Sequence, residues 1–406
     1  MASLILPNIH PEHGTIKWFN DPRARGLISQ TILFLLVAFG IYAMVTNTIV
    51  NLERQNIASG FGFLNQTAGF GINQTLIEYS EESTYGRTFL IGLLNTILVA
   101  VVGIFLATVI GFLVGVARLS SNWVISRLAY GYIELMRNIP LLLHIFVWYF
   151  AVLRSVPDKR SKWSLFDTFH LNIYGIWGPQ PLPQSGFIWT LLALLAAIVF
   201  AFIVAKLAKV RQMRTGQAFP SFWVGLAAIV IVPTAVFLAT GSPLDFEHPK
   251  FVAEGPIFKQ GFEINSGMQI IPEFISLLLA LSIYTAAYIA EIVRAGILAV
   301  SHGQTEAANA LGLRTGPTLR LVVIPQALRV IIPPLTNQYL NLTKNSSLAV
   351  AIAYPDLVAV FAGTTLNQTG QAVEIIVITM LVYLSLSLIT SAIMNWYNAR
   401  IALVER

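Results

Sequence analysis

Two groups of residues in this sequence have types and spacings that chemistry can use. The first begins with Glu291 and Arg294, three residues apart, a spacing that sets an acid and a base on one helical face. It continues through Gly303-Gln304-Thr305-Glu306-Ala307-Ala308-Asn309-Ala310-Leu311-Gly312. Gln304–Leu311 reads as a short alanine-rich helix with Ala307, Ala308 and Leu311 on one face. Gly312 stands where a helix takes a left-handed residue just past its end. Thr315 or Gly316 then caps a second helix, with Pro317 near its first position. The expected product is a rigid helix–turn–helix whose small side chains admit the close approach of another protein.

The second group is Asn337, Gln338, Asn341, Lys344 and Asn345, with Ser346 and Ser347 directly after. Spacings of three and four put the first five on one helical face. They lie in an apolar stretch, where a central lysine costs roughly 2.5–3.5 kcal/mol against lipid. The stripe therefore faces other helices or a wet cavity. Pro333 and Pro334 free backbone carbonyls just before it, which is tolerable only beside protein or water. One reading makes these residues a translocation path, with Lys344 offered to a substrate carboxylate. The other pairs Lys344 with a buried acid such as Asp356 and bonds the amides across helices. Glu134 and Arg137 also stand three apart, as topology-setting charges paired at the surface or as a gate. Tyr284 and Tyr288 lie one turn above Glu291, as a closure of a pore or as interface residues.

Other chemistries are missing. No glycine is followed directly by lysine, so no P-loop can cradle a nucleotide's phosphates. The six histidines are scattered and form no His-Glu-x-x-His helix. There are no cysteines, which excludes disulfides, thiolate metal sites and cysteine nucleophiles. Ala299-Val300-Ser301-His302-Gly303 lacks the first glycine of a nucleophile elbow.

The elements that hold these groups are set by composition. Of 406 residues, 56% are hydrophobic and 11% charged, against about 25% charged in a soluble domain. The net charge of +6 is spread over short loops between apolar runs, which speaks against nucleic acid as a partner. Eight apolar stretches are candidate spans: Leu27–Thr46, Thr88–Val116, Gly131–Leu153, Phe187–Ala205, Phe222–Leu238, Ile271–Ala290, Val330–Ala353 and Ala372–Trp396. The expected fold is an all-α polytopic membrane protein. No cleavable signal peptide is expected, because the first 26 residues lack an apolar core. With both termini in the cytoplasm, 16 basic residues fall inside and 8 outside, which fixes the orientation. Residues 47–87 read as a glycine-rich external loop, or as an apolar segment against the membrane or a partner. Residues 155–186 read as an irregular interfacial loop and 239–270 as a third external loop. Gly103, Ala107, Gly111 and Gly115 recur every four residues and mark a close helix contact, inside this chain or with another.

At this point a resemblance is specific. Glu306-Ala307-Ala308, Gly312 and Val322-Val323-Ile324-Pro325 resemble the EAA loop of permease subunits of binding-protein-dependent ABC importers, with Val322 and Ile324 as conservative departures. Arg137-Asn138-Ile139-Pro140-Leu141-Leu142, Asn337-Gln338, Lys344-Asn345-Ser346-Ser347-Leu348, Pro325-Gln326-Ala327 and the ending Ala402–Arg406 resemble the polar amino-acid branch. An insertion with two extra spans resembles the larger permease of general L-amino-acid or glutamate/glutamine/aspartate/asparagine importers.

The resemblance implies a division of the chain. Residues 1–26 become a cytoplasmic tail, 27–46 an extra span and 47–87 an external segment. Residues 88–154 and 270–406 become the type I permease core, with the coupling loop at 291–329 and the insertion at 155–269. It implies a pore subunit of the bacterial inner membrane that imports L-amino acids by alternating access. Gly303, Gln304, Glu306, Ala307, Ala308 and Gly312 are expected to seat on separate ATPase subunits. Asn337, Gln338, Asn341, Lys344, Asn345, Ser346 and Ser347 are expected along the substrate path. Glu134, Arg137, Tyr284, Tyr288, Glu291 and Arg294 are expected as gate or brace. The partners implied are a second homologous permease, two ATP-binding subunits carrying ATP and Mg, and a periplasmic solute-binding protein. This chain itself is expected to bind no cofactor and not to be an enzyme. An ion-coupled transporter working without an ATPase is the alternative.

Overall fold

Thr84 is extended and its hydroxyl accepts the N–H of Arg87, so the chain starts the long helix α2 (Tyr85–Arg118) immediately after it. The structure, a computed structural model, describes residues 22–54, 59–256, 260–263 and 266–401. The tail up to residue 21 and the ending Ala402–Arg406 lie outside the described residues. Before α2 stands α1 (Pro22–Arg54); after it come α3 (Trp123–Asn138) and α4 (Leu141–Ser155). α5 (Phe187–Thr215) and α6 (Ser221–Ala239) form an antiparallel hairpin. α7 (Pro272–Leu298) begins with Pro272 after extended Ile271, as a proline at the first helical position should. The short helix α8 (His302–Ala310), then α9 (Ile324–Asn345) and α10 (Ala372–Ile401), complete the chain.

The core is built where small residues let backbones meet. A Cβ on Gly111 would sit 2.6 Å from Cβ of Ile289, and one on Gly115 would sit 2.7 Å from the Ala290 carbonyl oxygen. Gly111 and Gly115 of the four-residue repeat are thus spent on α7, and Gly103 mainly on Leu342 of α9, inside this chain. Gly296 of α7 meets Ile331 of α9 just as closely. Around these contacts Val99, Leu277, Leu281, Ile289, Ile331, Leu342 and Tyr354 are buried.

Among the described residues, seven helices are long and apolar enough to cross a membrane, or eight if the bent pair α3–α4 counts as one. The expected third span, Gly131–Leu153, is that pair, bent by 107°. Pro140 is the cause: the residue before a proline is pushed to extended backbone, and Ile139 has φ −102° and ψ 131°. Glu134 and Arg137 therefore end a separate helix instead of opening a span. The seventh span is longer than expected at its start and broken at its end. α9 continues as helix through Pro333 and Pro334, tightens at Ser346–Ile352, and turns at Ala353, whose φ is +58°.

The two loops at 155–186 and 239–270 are not irregular. α5 and α6 carry the chain out and back, so the loops meet and pair. β1 (Trp163–Leu165), β2 (Phe169–Asn172), β3 (Gly175–Gly178) and β8 (Met268–Ile270) make one antiparallel sheet in that order. β4 (Gln180–Pro183) pairs with β5 (Leu244–Glu247), and β6 (Phe251–Val252) with β7 (Gly261–Phe262). The buried Trp177 stacks on Phe262 with centroids 4.8 Å apart. His170 is buried beside them and its Nδ1 is 2.9 Å from Ser164 Oγ; burial, then Lys162, lowers its pKa while Asp167 opposes the shift. This β cap sits at the end of α7 opposite α8. The all-α expectation describes the membrane part and omitted the cap.

Residues 59–84 are a mostly exposed loop, as the first reading expected, but are anchored inward to this chain. Phe63 is buried within the chain, with its ring centroid 6.2 Å from that of Phe361 and 6.3 Å from that of Tyr85. The Asn95 amide donates to the carbonyls of Gln74 and Pro355, which stitches the segment to the core.

Candidate functional site

α8 is a knuckle at the end of α7. Its termination is the one read from the sequence. Gly312 has φ +76°, its N–H bonds the Asn309 carbonyl at 2.9 Å, and the Leu313 N–H bonds Ala308 at 3.1 Å. The face differs from expectation. Ala308 is 3% exposed and turned into the molecule, whereas Ala307 and Leu311 point outward, Leu311 at 82% exposure. Neighbouring residues on a helix lie about 100° apart, so Ala307 shares a face with Leu311 and not with Ala308. The second cap also differs: Arg314 takes that position with no side-chain bond. The helical turns Thr315–Val323 then run without a break into α9. Gln326 of α9 donates to Gln304 of α8 at 3.2 Å. Gly303, Gln304, Glu306 and Ala307 remain exposed, with Glu306 bonded to His302 at 3.1 Å. The knuckle is thus an outward surface hydrogen-bonded to α9.

Between the knuckle and the core lies a charged cluster. Arg294 donates twice to Glu291, at 2.6 and 3.0 Å, as the spacing predicted. Glu134 and Arg137 do not pair. Glu134 accepts from Asn138 at 3.3 Å, while Arg137 lies 5.3 Å from the ring centroid of Tyr288. The hydroxyls of Tyr284 and Tyr288 are 3.1 Å apart. Two residues missed in the sequence belong here: Arg118, 4.9 Å over the Tyr130 ring, and Tyr130 itself. Arg118 ends an apolar helix, so the sequence showed it only as a topology marker.

The polar stripe of α9 splits in two. Asn337, Asn341 and Lys344 are exposed along one face, continuing Pro333 and Pro334. Gln338, Asn345 and Ser347 are half-buried; Ser346 is buried and donates to the Thr343 carbonyl at 2.8 Å. Lys344 does not pair with Asp356. The buried Asp356 accepts the Ala359 N–H at 2.8 Å and the Tyr383 hydroxyl at 3.4 Å. Lys344 instead lines a groove of about 400 Å³ with Ser347, Thr379, Tyr383 and Ser387. The last three recur every four residues on α10, a signal readable in the sequence and missed.

Comparison with known proteins shows the family of the chain. Residues 190–403 match the family described as "Binding-protein-dependent transport system inner membrane component". This chain belongs to that family. It is 52% identical, over 98% of both chains, to the general L-amino acid transport system permease protein AapQ of Rhizobium johnstonii. It is 41% identical, over 95% of this chain and 96% of the other, to the glutamate/glutamine/aspartate/asparagine transport system permease protein BztB of Rhodobacter capsulatus. The chain is therefore a multi-pass ABC permease, and the ion-coupled alternative falls. As a permease it needs a surface for a motor and a path for cargo, and α8 and α9 are the elements on which to test each.

Proposed function

We propose that this permease lines the pore of an ATP-driven importer that carries L-amino acids from the periplasm to the cytoplasm by alternating access. The observation that carries the reading is the contact of α8 with the helix that bears the stripe: Ala308 turns inward and Gln326 of α9 donates to Gln304 of α8, so an outward knuckle sits against the helix of the exposed polar stripe. Gly303, Gln304, Glu306 and Ala307 present the docking face, and Ala308 and Gly312 fix its shape. ATP and Mg sit in two partner ATPase subunits. A stripe of Asn337, Asn341 and Lys344 is costly against lipid, so a second homologous permease covers it, and the path runs between the two. Lys344 receives the substrate carboxylate, with Gln338, Asn345, Ser346 and Ser347 on the same stretch. Tyr284, Tyr288, Arg137, Glu134 and the Glu291–Arg294 pair close the path on the cytoplasmic side. A periplasmic binding protein delivers the cargo to the β-cap side. Residues 88–154 and 270–406 form the core, 155–269 the insertion, and both termini are cytoplasmic.

The test is co-purification with the neighbouring subunits and reconstitution in proteoliposomes. ATP-dependent uptake of L-amino acids is expected, with no ATPase activity from the isolated permease. Uptake driven by an ion gradient without the ATPase subunits overturns the reading.

A further inference from the structure

The charged cluster beside the knuckle holds more charge than a brace uses. It surrounds a cavity of about 190 Å³, several times the roughly 30 Å³ of one water and below the 300 Å³ at which drug-sized sites begin. Glu291 and Arg294 satisfy each other. Three charged groups on the cavity wall are left over. Arg118 donates to Ser126 at 2.9 Å and lies over Tyr130; Arg137 lies over Tyr288; among the described residues neither has a carboxylate within 4 Å, and both feel Glu291 only at longer range. Among the described residues Glu134 has the Asn138 amide and no cation within 4 Å.

We propose that this cavity binds the head group of a free α-amino acid, carboxylate on Arg118 and Arg137 and ammonium on Glu134. A guanidinium fork matches a carboxylate in geometry and charge. A simple anion would meet the repulsion of Glu134, and a simple amine that of two guanidiniums, so a zwitterion alone satisfies all three. The cavity is walled by α2, α3 and α7, and α7 leads into the knuckle. An occupant therefore ties these helices together and holds the knuckle's support still. Amino acid accumulating on the knuckle side slows the transporter that delivers it. The proposal rests on the function above for the cargo class and the side.

The experiment uses the assembled transporter in nanodiscs without binding protein and measures L-alanine binding against two competitors, propionate and L-alanine amide. L-alanine is expected to compete about tenfold better than either. In Glu134→Gln, propionate is expected to draw level with L-alanine; in Arg137→Lys, L-alanine binding weakens several-fold. These shifts assign binding to this cavity and not to Lys344. Equal competition by all three compounds in the unaltered protein overturns the proposal without using any variant. So does discrimination unchanged in Glu134→Gln, or binding that follows the phosphatidylglycerol content of the disc. ATP-driven uptake in the same preparation, assayed with binding protein, separates failure of this site from failure of the import function.

Discussion

The most apolar stretch of α7 has mean hydropathy 1.8 and is 56% buried in the chain; that of α5 has 2.8 and is 6% buried. In water the order would be reversed. Lipid is as apolar as a leucine core, so a helix facing lipid is free to be uniformly apolar. A helix facing protein needs small residues that let backbones approach, and it can hide hydroxyls from lipid even where, as at Ser276 and Ser282, they find no hydrogen-bond partner among the described residues. α7 accordingly carries Ser276, Ser282, Thr285 and a run of alanines at its buried face, while α5 and α6 touch mainly each other. The interlocked core α2–α7–α9 holds the candidate site, and the α5–α6 hairpin stands outside it.

Gly111→Leu should break the comparison most sharply. A side chain there meets Ile289 and the Ala286 carbonyl, and overpacking of this kind costs about 1–3 kcal/mol or more. Little folded protein is expected in detergent by size-exclusion chromatography, whereas Ala196→Leu on exposed α5 should leave the yield unchanged. Gly312→Val comes next. The left-handed turn costs an L-residue roughly 1–2 kcal/mol, enough to displace the knuckle and leave the fold. ATP-driven uptake should fall by about tenfold or more while the complex keeps its ATPase activity. Arg294→Met removes a pair that is about a third exposed, so a thermal-shift assay should show a loss of about 1 kcal/mol or less.

The smallest effect belongs to the cap. His170 has a lowered pKa because the cap buries its neutral form, so the unfolded cap binds the proton more readily. Cap stability is therefore full above the ordinary histidine value of 6.5 and declines as pH falls below it toward the lowered value. Limited proteolysis of the cap should accelerate as pH falls below 6.5, and His170→Gln should flatten that dependence.

Local features were readable because their causes are local. Gly312 ended α8 as read, and Glu291 met Arg294, since one helical turn fixes both. Pairing across elements was not readable. Arg137 went to Tyr288, Asp356 went to its own turn and Tyr383, and Lys344 went to a groove with α10. Strands of two to four residues with aromatic and proline content carried no periodic signal, so the β cap was invisible until α5 and α6 brought its halves together.

By itself the sequence determined that the chain crosses a membrane, where most spans lie, that no P-loop is present, and that a helical knuckle ends at Gly312. Those follow from hydropathy and from spacings within one turn. Only the tertiary structure decided that Pro140 folds one span into two helices, that Ala308 points inward while Ala307 and Leu311 point out, and that Arg118, Glu134 and Arg137 share one cavity. Contacts between residues far apart in sequence depend on how helices cross. That crossing is set by where glycines let backbones touch, which no single segment specifies.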